Sequence, residues 1–182
     1  MRRSILAMAG AWLLAAGSPV LAQQPPSAEL KALFGPAVEA HPLAAAPVAT
    51  LDLDGDGKPD DVWVVRLLRG GNDALAAGTR SANPLGKRGL ARQGEKLALA
   101  IRHGTGERWV LHDSEFFTTP IWQTKPLPLE AARRGGKAHR AAVAAGAKPR
   151  GDLLLLGTEA GIDIALFWTG NRYVVNAPKE EP

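Results

Sequence analysis

Apolar residues alternate with small or charged ones in the middle of the chain, and this pattern predicts a β-hairpin. In the stretch "LALAIRHGTGERWVL", Leu99 and Ile101 precede a turn, and Trp109 and Leu111 follow it. Folding the stretch about Thr105 places Ile101 opposite Trp109 and Leu99 opposite Leu111, so one face of the hairpin is apolar throughout. We therefore predict two antiparallel strands here.

The same kind of pattern predicts one helix and several more strands. The stretch "SAELKALF" (27–34) has apolar residues at helical spacing and stops at Gly35-Pro36, which is typical of a short helix. The run "VWVVRLL" (62–68) is rich in β-branched residues and predicts a buried strand. Towards the C-terminal end, "DLLLLG", "IDIALFW" and "RYVV" are separated by short turns and predict three more strands.

Strands joined by short turns, with one small helix, predict a mainly β domain of antiparallel strands and hairpins that is not a full propeller. We expect a leader, the helix and an extended linker in residues 23–47, the β-rich domain in 48–176 and a polar tail in 177–182. Glycine, asparagine and basic residues predict a long surface loop at 69–95. A second loop is expected at 131–150, which is basic and contains no acid.

The N-terminal residues have the three-part layout of a secretory signal peptide. Arg2 and Arg3 are followed by an apolar run and then by the small-residue cleavage signature Val20-Leu21-Ala22. The alternative is an uncleaved anchor helix, but the run is shorter than the ~20 residues that a membrane span needs. Cleavage after Ala22 is therefore expected, with a periplasmic or secreted product and no membrane span.

Cleavage would leave 182 − 22 = 160 residues, which is one domain's worth of chain. The leader removes two of the 22 basic residues, so the charge falls from +4 to 20 − 18 = +2. A charge this small does not favour nucleic acid as a partner. The chain has no cysteine, so its stability must come from its core or from a metal.

The strongest motif is "TLDLDGDGKPDDVWVV" (50–65), which has five aspartates within ten residues. Asp52, Asp54 and Asp56 occupy positions 1, 3 and 5 of a D-x-D-x-D-G loop, and Gly57 at position 6 permits a sharp bend. The carbonyl of Lys58 at position 7 and the carboxylate of Asp60 at position 9 would complete a set of oxygen ligands. Such ligands at this spacing favour Ca²⁺ over Mg²⁺. The alternative is a solvated acidic turn, since "DGDG" is also common turn chemistry.

An EF-hand is excluded because position 12 is Trp63, where that loop needs a glutamate, and because a strand follows instead of a helix. The stretch "DLDGDGKPDDVWVV" resembles the FG-GAP/VCBS repeats, which carry a D-x-D-G-D-G-x-x-D loop followed by an apolar strand. The resemblance covers residues 48–67 and occurs once, whereas a propeller needs several blades of about 40 residues or more. It implies the side chains of Asp52, Asp54, Asp56 and Asp60 and the carbonyl of Lys58 as calcium ligands. Asp61 stands where the repeats more often have an apolar residue.

The histidines give no sign of an active site. His41, His103, His112 and His139 lack metal-ligand spacing, and the hairpin register places His103 and His112 on opposite faces. The cluster "HDSE" (112–115) is interpreted as an exposed strand end, because catalytic triads are assembled from distant segments. A carboxylate pair like that of a glycosidase is not visible in a sequence, so a small periplasmic hydrolase, or an inhibitor of one, stays open as an alternative.

The basic segment 131–150 would suit an anionic glycan or a protein partner, against the simpler interpretation of a solvated loop. It lacks the aromatic residues that bind single-stranded nucleic acid by stacking. Trp109, Trp122 and Trp168 would either line a carbohydrate platform or pack in the core, which is commoner within strands. The sequence thus predicts an exported, calcium-stabilised β domain that acts as a non-catalytic binding or structural module.

Overall fold

The computed structural model describes residues 26–68, 74–85, 96–113 and 116–177. The predicted signal peptide (1–22) and most of the predicted tail (177–182) lie outside these ranges, as do residues 69–73 and 86–95 of the predicted loop. None of the described helices is long and apolar enough to cross a membrane.

The described chain is mainly β and forms two sheets and two helices, as the strand patterns predict, and it is not a propeller. The first sheet contains β1 (Val38–Ala40), β2 (Ala49–Leu51), β3 (Asp60–Leu67), β4 (Thr79–Ala82), β5 (Lys96–Arg102) and β6 (Arg108–His112). The second sheet contains β7 (Leu129–Ala132), β8 (Leu153–Gly157), β9 (Asp163–Trp168) and β10 (Tyr173–Asn176). The helices are α1 (Pro26–Phe34) and α2 (Lys137–Ala144), and two 3-10 turns cover Phe116–Thr118 and Pro120–Gln123.

The first sheet has the order β1-β3-β5-β6-β4, with β2 also paired to β3, and the second has the order β10-β9-β8-β7. The β5–β6 register pairs Ile101 with Trp109 and Leu99 with Leu111, which confirms the predicted hairpin. The three strands predicted near the C-terminal end are confirmed as the antiparallel β8, β9 and β10.

The two sheets pack face to face, and each carries a helix on its outer face. Alternate residues of β3 face opposite ways, so Val62 and Val64 contact the second sheet while Trp63 and Val65 pack beneath α1. Because both faces of β3 are covered, its apolar residues form a continuous run. Helix α2 covers the outer face of the second sheet through Ala142.

Three segments differ from the sequence predictions. Strand β1 lies between the predicted helix and the predicted linker, where no strand was predicted, and the adjacent His41 is buried. The predicted loop 69–95 contains β4, which pairs in parallel with β6. The predicted loop 131–150 contains α2, because its alanines favour a helix over the run KAHRAAVA.

Trp109, Trp122 and Trp168 are all buried, which confirms their interpretation as core residues. Of the cluster "HDSE", the structure describes only His112 and Asp113, and these two residues are buried and not exposed as predicted. Asp113 instead accepts hydrogen bonds from the amide of Phe116 (2.8 Å) and the side chain of Asn83 (3.0 Å). It therefore fastens the segment that follows β6.

Candidate metal centre

The loop between β2 and β3 gathers three of the predicted ligands. Carboxylate oxygens of Asp52, Asp54 and Asp56 lie within 4.8 Å of one another. The chain turns sharply at Gly55 (φ 74°) and Gly57 (φ 84°), both in the left-handed region that glycine adopts without strain. A Cβ on Gly57 would meet nothing within 4 Å, so its backbone angle alone requires glycine.

Backbone amides within the loop hold each of the three carboxylates. Asp52 Oδ2 accepts from the amide of Gly57 (3.1 Å), and Asp54 Oδ1 accepts from that of Asp56 (3.1 Å). Asp56 Oδ1 accepts from the amide of Lys58 (2.8 Å), which keeps the predicted position 7 inside the turn. The other oxygen of Asp52, Oδ1, is buried and has no hydrogen-bond partner in the described part of the chain.

Asp60, the predicted ligand at position 9, is fully buried at the start of β3 and lies next to a different group of side chains. Its Oδ2 accepts from the amides of Leu53 (2.7 Å) and Asp54 (3.3 Å), and its Oδ1 accepts from Gly104 (2.8 Å). Burial raises the pKa of Asp60, although the amides of Gly104 and Leu53 and nearby His103 act in the opposite direction. Its carboxylate therefore ties the loop to the β5–β6 turn.

Sequence reasoning missed His103, whose ring is buried beside the loop. Its Nδ1 lies 3.0 Å from Asp54 Oδ2 and 3.5 Å from Asp60 Oδ2, while its Nε2 lies 2.9 Å from the hydroxyl of Tyr173. An acceptor faces Nδ1, so in the neutral ring the proton is on Nδ1 and Nε2 accepts from Tyr173. Burial, followed by nearby carboxylates, raises the pKa of Tyr173, which keeps its hydroxyl a donor.

The start of β8 fastens the loop from the other side. The amide of Asp52 donates to Asp152 Oδ2 (3.0 Å), and the amide of Asp152 donates to the carbonyl of Asp52 (2.7 Å). This contact is so close that a Cβ built on Gly151 would lie 2.0 Å from the carbonyl oxygen of Asp52. The second sheet thus packs directly against the backbone of the loop.

Two neighbouring features belong to the surface of the site. Asp61 pairs with Arg102 and accepts from the hydroxyl of Thr50 (3.2 Å), so its carboxylate is directed away from the three loop carboxylates. Arg133, in the basic segment, donates to the carbonyl of Thr50 (3.3 Å). Positive charge therefore lies close to the acidic loop but pairs with the backbone of β2.

No protein-family model, curated protein or solved structure matches this chain.

Proposed function

We propose that this chain is an exported β domain stabilised by Ca²⁺ in the β2–β3 loop, and that it acts as a non-catalytic binding or structural module. The observation that carries the proposal is Asp52 Oδ1, a buried carboxylate oxygen without a hydrogen-bond partner among the described residues. A buried anionic oxygen is costly unless something pairs with it. A cation among Asp52, Asp54 and Asp56 would supply that partner.

The identity of the ion follows from the type and spacing of the ligands. All the proposed ligand atoms are oxygens, and they belong to a D-x-D-G-D-G-x-x-D loop that resembles those of FG-GAP/VCBS repeats. Ca²⁺ accepts six to eight oxygens in variable geometry, whereas Mg²⁺ demands a near-ideal octahedron. A periplasmic or secreted location, proposed from the N-terminal leader, would expose the loop to calcium.

The role we propose for the ion is structural. Its loop contacts the second sheet through Asp152 and the β5–β6 turn through His103 and Asp60. An ion that fixes the loop would therefore strengthen contacts between parts of the chain that are distant in sequence. His103 and Tyr173 are both buried, so we assign their chain of hydrogen bonds to this structural role and not to hydrolysis.

Calcium should raise the melting temperature of the mature chain, residues 23–182. With an affinity of about 10⁻⁴ M, 10 mM Ca²⁺ would stabilise the folded state by about 2.7 kcal/mol, or roughly 5–10 °C for a domain of this size. The measurement is a thermal melt in EDTA followed by titration with Ca²⁺ or Mg²⁺. A smaller rise with Mg²⁺ is expected, and equal melting in EDTA and Ca²⁺ would rule the site out.

The matched variants are Asp56→Ala and Glu159→Ala, which each remove one exposed carboxylate. Asp56 lies in the loop, whereas Glu159 lies in the β8–β9 turn. Asp56→Ala should abolish most of the calcium-dependent rise and leave melting in EDTA nearly unchanged, while Glu159→Ala should respond as wild type does. The same rise in both variants would place the ion elsewhere.

Tyr173→Phe should weaken calcium binding by about tenfold, the lower end of the effect seen when outer partners of metal ligands are removed. The change removes the donor to His103 Nε2 and so loosens the ring that holds Asp54 Oδ2. Calcium titration by calorimetry measures the effect. Thr158→Val, which removes a hydroxyl bonded within the β8–β9 turn, is the control and should leave the affinity unchanged. An unchanged affinity in Tyr173→Phe would show that the hydrogen bonds from Tyr173 through His103 do not position Asp54.

The partner we propose is an anionic glycan or an acidic protein surface, and not nucleic acid. Six basic side chains of segment 131–150 are exposed: Arg133, Arg134, Lys137, Arg140, Lys148 and Arg150. An exposed cluster of one sign attracts partners of the opposite sign at long range. Helix α2 presents Lys137 and Arg140 from an ordered element, which favours a defined surface over a solvated loop.

A further inference from the structure

Three arginines lie together at one end of the second sheet. Arg134 follows β7, Arg150 precedes β8 and Arg172 lies in the β9–β10 turn. The register starts β8 opposite the end of β7, and the amide of Arg150 donates to the carbonyl of Trp168 at the end of β9 (3.0 Å). The amide of Arg134 donates to Asp152 Oδ1 (2.6 Å), next to the start of β8. We call the three arginines the arginine row.

The arginine row crosses the end of the sheet from strand to strand. The strand order is β10-β9-β8-β7, and neighbouring strands are about 4.8 Å apart, so the row extends over roughly 12 Å of backbone. The side chain of Arg150 reaches toward the turn that carries Arg172, because a Cβ built on Gly170 would lie 3.2 Å from Nη1 of Arg150. Since an arginine is always charged, the row is a line of three permanent positive charges.

The charges of the arginine row are not compensated by ion pairs. All three arginines are exposed, and none of them pairs with a carboxylate in the described part of the chain. Asp152, which lies beside the row, is buried and accepts from the amides of Asp52 and Arg134. The carboxylates of the adjacent β2–β3 loop accept from amides of that loop. The row is therefore available to an anionic partner.

The surroundings of the arginine row favour a glycan over a protein. Among the described residues, the exposed large apolar side chains are Val143 and Ile162, and neither belongs to the row. Protein interfaces need an apolar core, commonly with aromatic residues. The β9–β10 turn instead adds exposed polar side chains. The side-chain oxygen of Asn171 accepts from the hydroxyl of Thr169 (3.1 Å), which leaves the N–H donors of this amide for sugar hydroxyls.

We propose that the arginine row binds a linear polysaccharide whose sugars carry carboxylates. Each guanidinium would pair with one carboxylate, since its planar donors match that group. The side-chain amide of Asn171 would donate to a sugar hydroxyl between two of these pairs. A chain with repeated charges matches a line of cations, whereas a small anion would engage only one of them. This ligand class rests on the exported binding module proposed above, and it does not depend on calcium.

The test uses hexagalacturonate as the probe and its fully methyl-esterified form as the neutral counterpart with the same sugars. Hexagalacturonate is titrated into ¹⁵N-labelled residues 23–182 in a buffer freed of metal ions by a chelating resin. It should give saturable shifts of the amide signals of Gly135, Gly170 and Asn171. The ester should bind at least about tenfold more weakly, because it lacks the charges for three ion pairs, each worth up to about fivefold in affinity.

Arg172→Gln should weaken binding of hexagalacturonate by about fivefold, and the double variant with Arg150→Gln by about 25-fold. Lys31→Gln is the matched control, because it removes the same charge from α1, where Lys31 pairs with Glu39 (3.1 Å). The control should bind as wild type does. Arg172 is exposed, so its substitution should not affect folding. If the double variant does not fold, Arg134→Gln, also at an exposed position, replaces Arg150→Gln.

Three results would overturn the proposal: no saturable shift, equal binding of hexagalacturonate and its ester, or equal affinities of Arg172→Gln and Lys31→Gln. Single-stranded DNA with the same number of charges provides the remaining comparison. If the DNA binds as tightly as hexagalacturonate, the arginine row is a general polyanion site, and the choice of a glycan is wrong. The buffer contains no metal ion, so these results are independent of the calcium-dependent rise in melting temperature, which tests the proposed calcium site separately.

Discussion

Asp60→Ala is expected to destabilise the fold by about 3 kcal/mol or more, because each stranded buried donor costs about 1–3 kcal/mol. The Asp60 carboxylate accepts from the amides of Leu53, Asp54 and Gly104, and all three would lose their partner. Burial raises the pKa of Asp60, which shows that holding its charge has a cost. We expect the loss of three hydrogen-bond acceptors to destabilise the fold by more than the removal of the buried charge stabilises it. The melting temperature in EDTA should fall by roughly 6–12 °C.

Two variants isolate the cause of this loss. Asp60→Asn keeps one acceptor oxygen and should lose less stability than Asp60→Ala. Asp61→Ala removes the adjacent carboxylate, which is partly exposed and paired with Arg102, and should cost at most about 1 kcal/mol. If Asp60→Ala melted no lower than Asp61→Ala, the buried hydrogen bonds of Asp60 would not hold the loop.

Gly151→Ala is expected to cost about 3 kcal/mol, the upper end of the usual effect of overpacking. The new Cβ would lie 2.0 Å from the carbonyl oxygen of Asp52 and 2.7 Å from the amide nitrogen of Gly55. Both are backbone atoms and cannot rotate away. The start of β8 would have to separate from the loop and break the paired hydrogen bonds of Asp52 and Asp152. The melting temperature should fall by roughly 6–12 °C, and the calcium-dependent rise should shrink with it.

Gly161→Ala is the control, since Gly161 has φ 71° in the exposed β8–β9 turn and its Cβ would meet nothing within 4 Å. It tests backbone strain alone, which costs about 1–2 kcal/mol for a residue in the left-handed region. Gly151 is not in that region, so its requirement is for space. Equal losses in the two variants would contradict a specific contact between β8 and the loop.

Asp60→Ala and Gly151→Ala both change the same junction, where the β2–β3 loop meets the β5–β6 turn and the start of β8. The loop is fastened by contacts on two sides, Gly104 on one and Asp152 on the other. A change in the loop, whether by mutation or by binding of an ion, would therefore alter contacts within the first sheet and between the sheets. This is the physical basis for the structural role that we propose for calcium.

Local patterns predicted the elements whose partners are near in sequence. The β5–β6 register followed from apolar alternation about one turn, and α1 followed from helical spacing and its Gly-Pro stop. Strand β4 was missed because TRSA has little apolar character, and its pairing with β6 is parallel and distant. Helix α2 was missed because its run KAHRAAVA is short, carries basic residues and lies between glycines, features that are also typical of a loop.

The candidate site likewise has one part that local spacing predicted and another part that depends on residues distant in sequence. The spacing of Asp52, Asp54 and Asp56 predicted the group that the structure brings together. His103 was missed, although it continues the alternation of Leu99 and Ile101 toward the second sheet. That signal was available in the sequence, but its meaning depended on Tyr173, which lies 70 positions further along the chain.

The sequence by itself determined the mainly β architecture, the central hairpin and the acidic loop, because these depend on side-chain alternation and turn geometry within a few residues. Only the tertiary structure decided that Asp60 ties the loop to Gly104 and that Gly151 packs against Asp52. Those contacts depend on how two sheets are placed face to face. That placement is set by the packing of the whole core, so no local stretch of the sequence contains it.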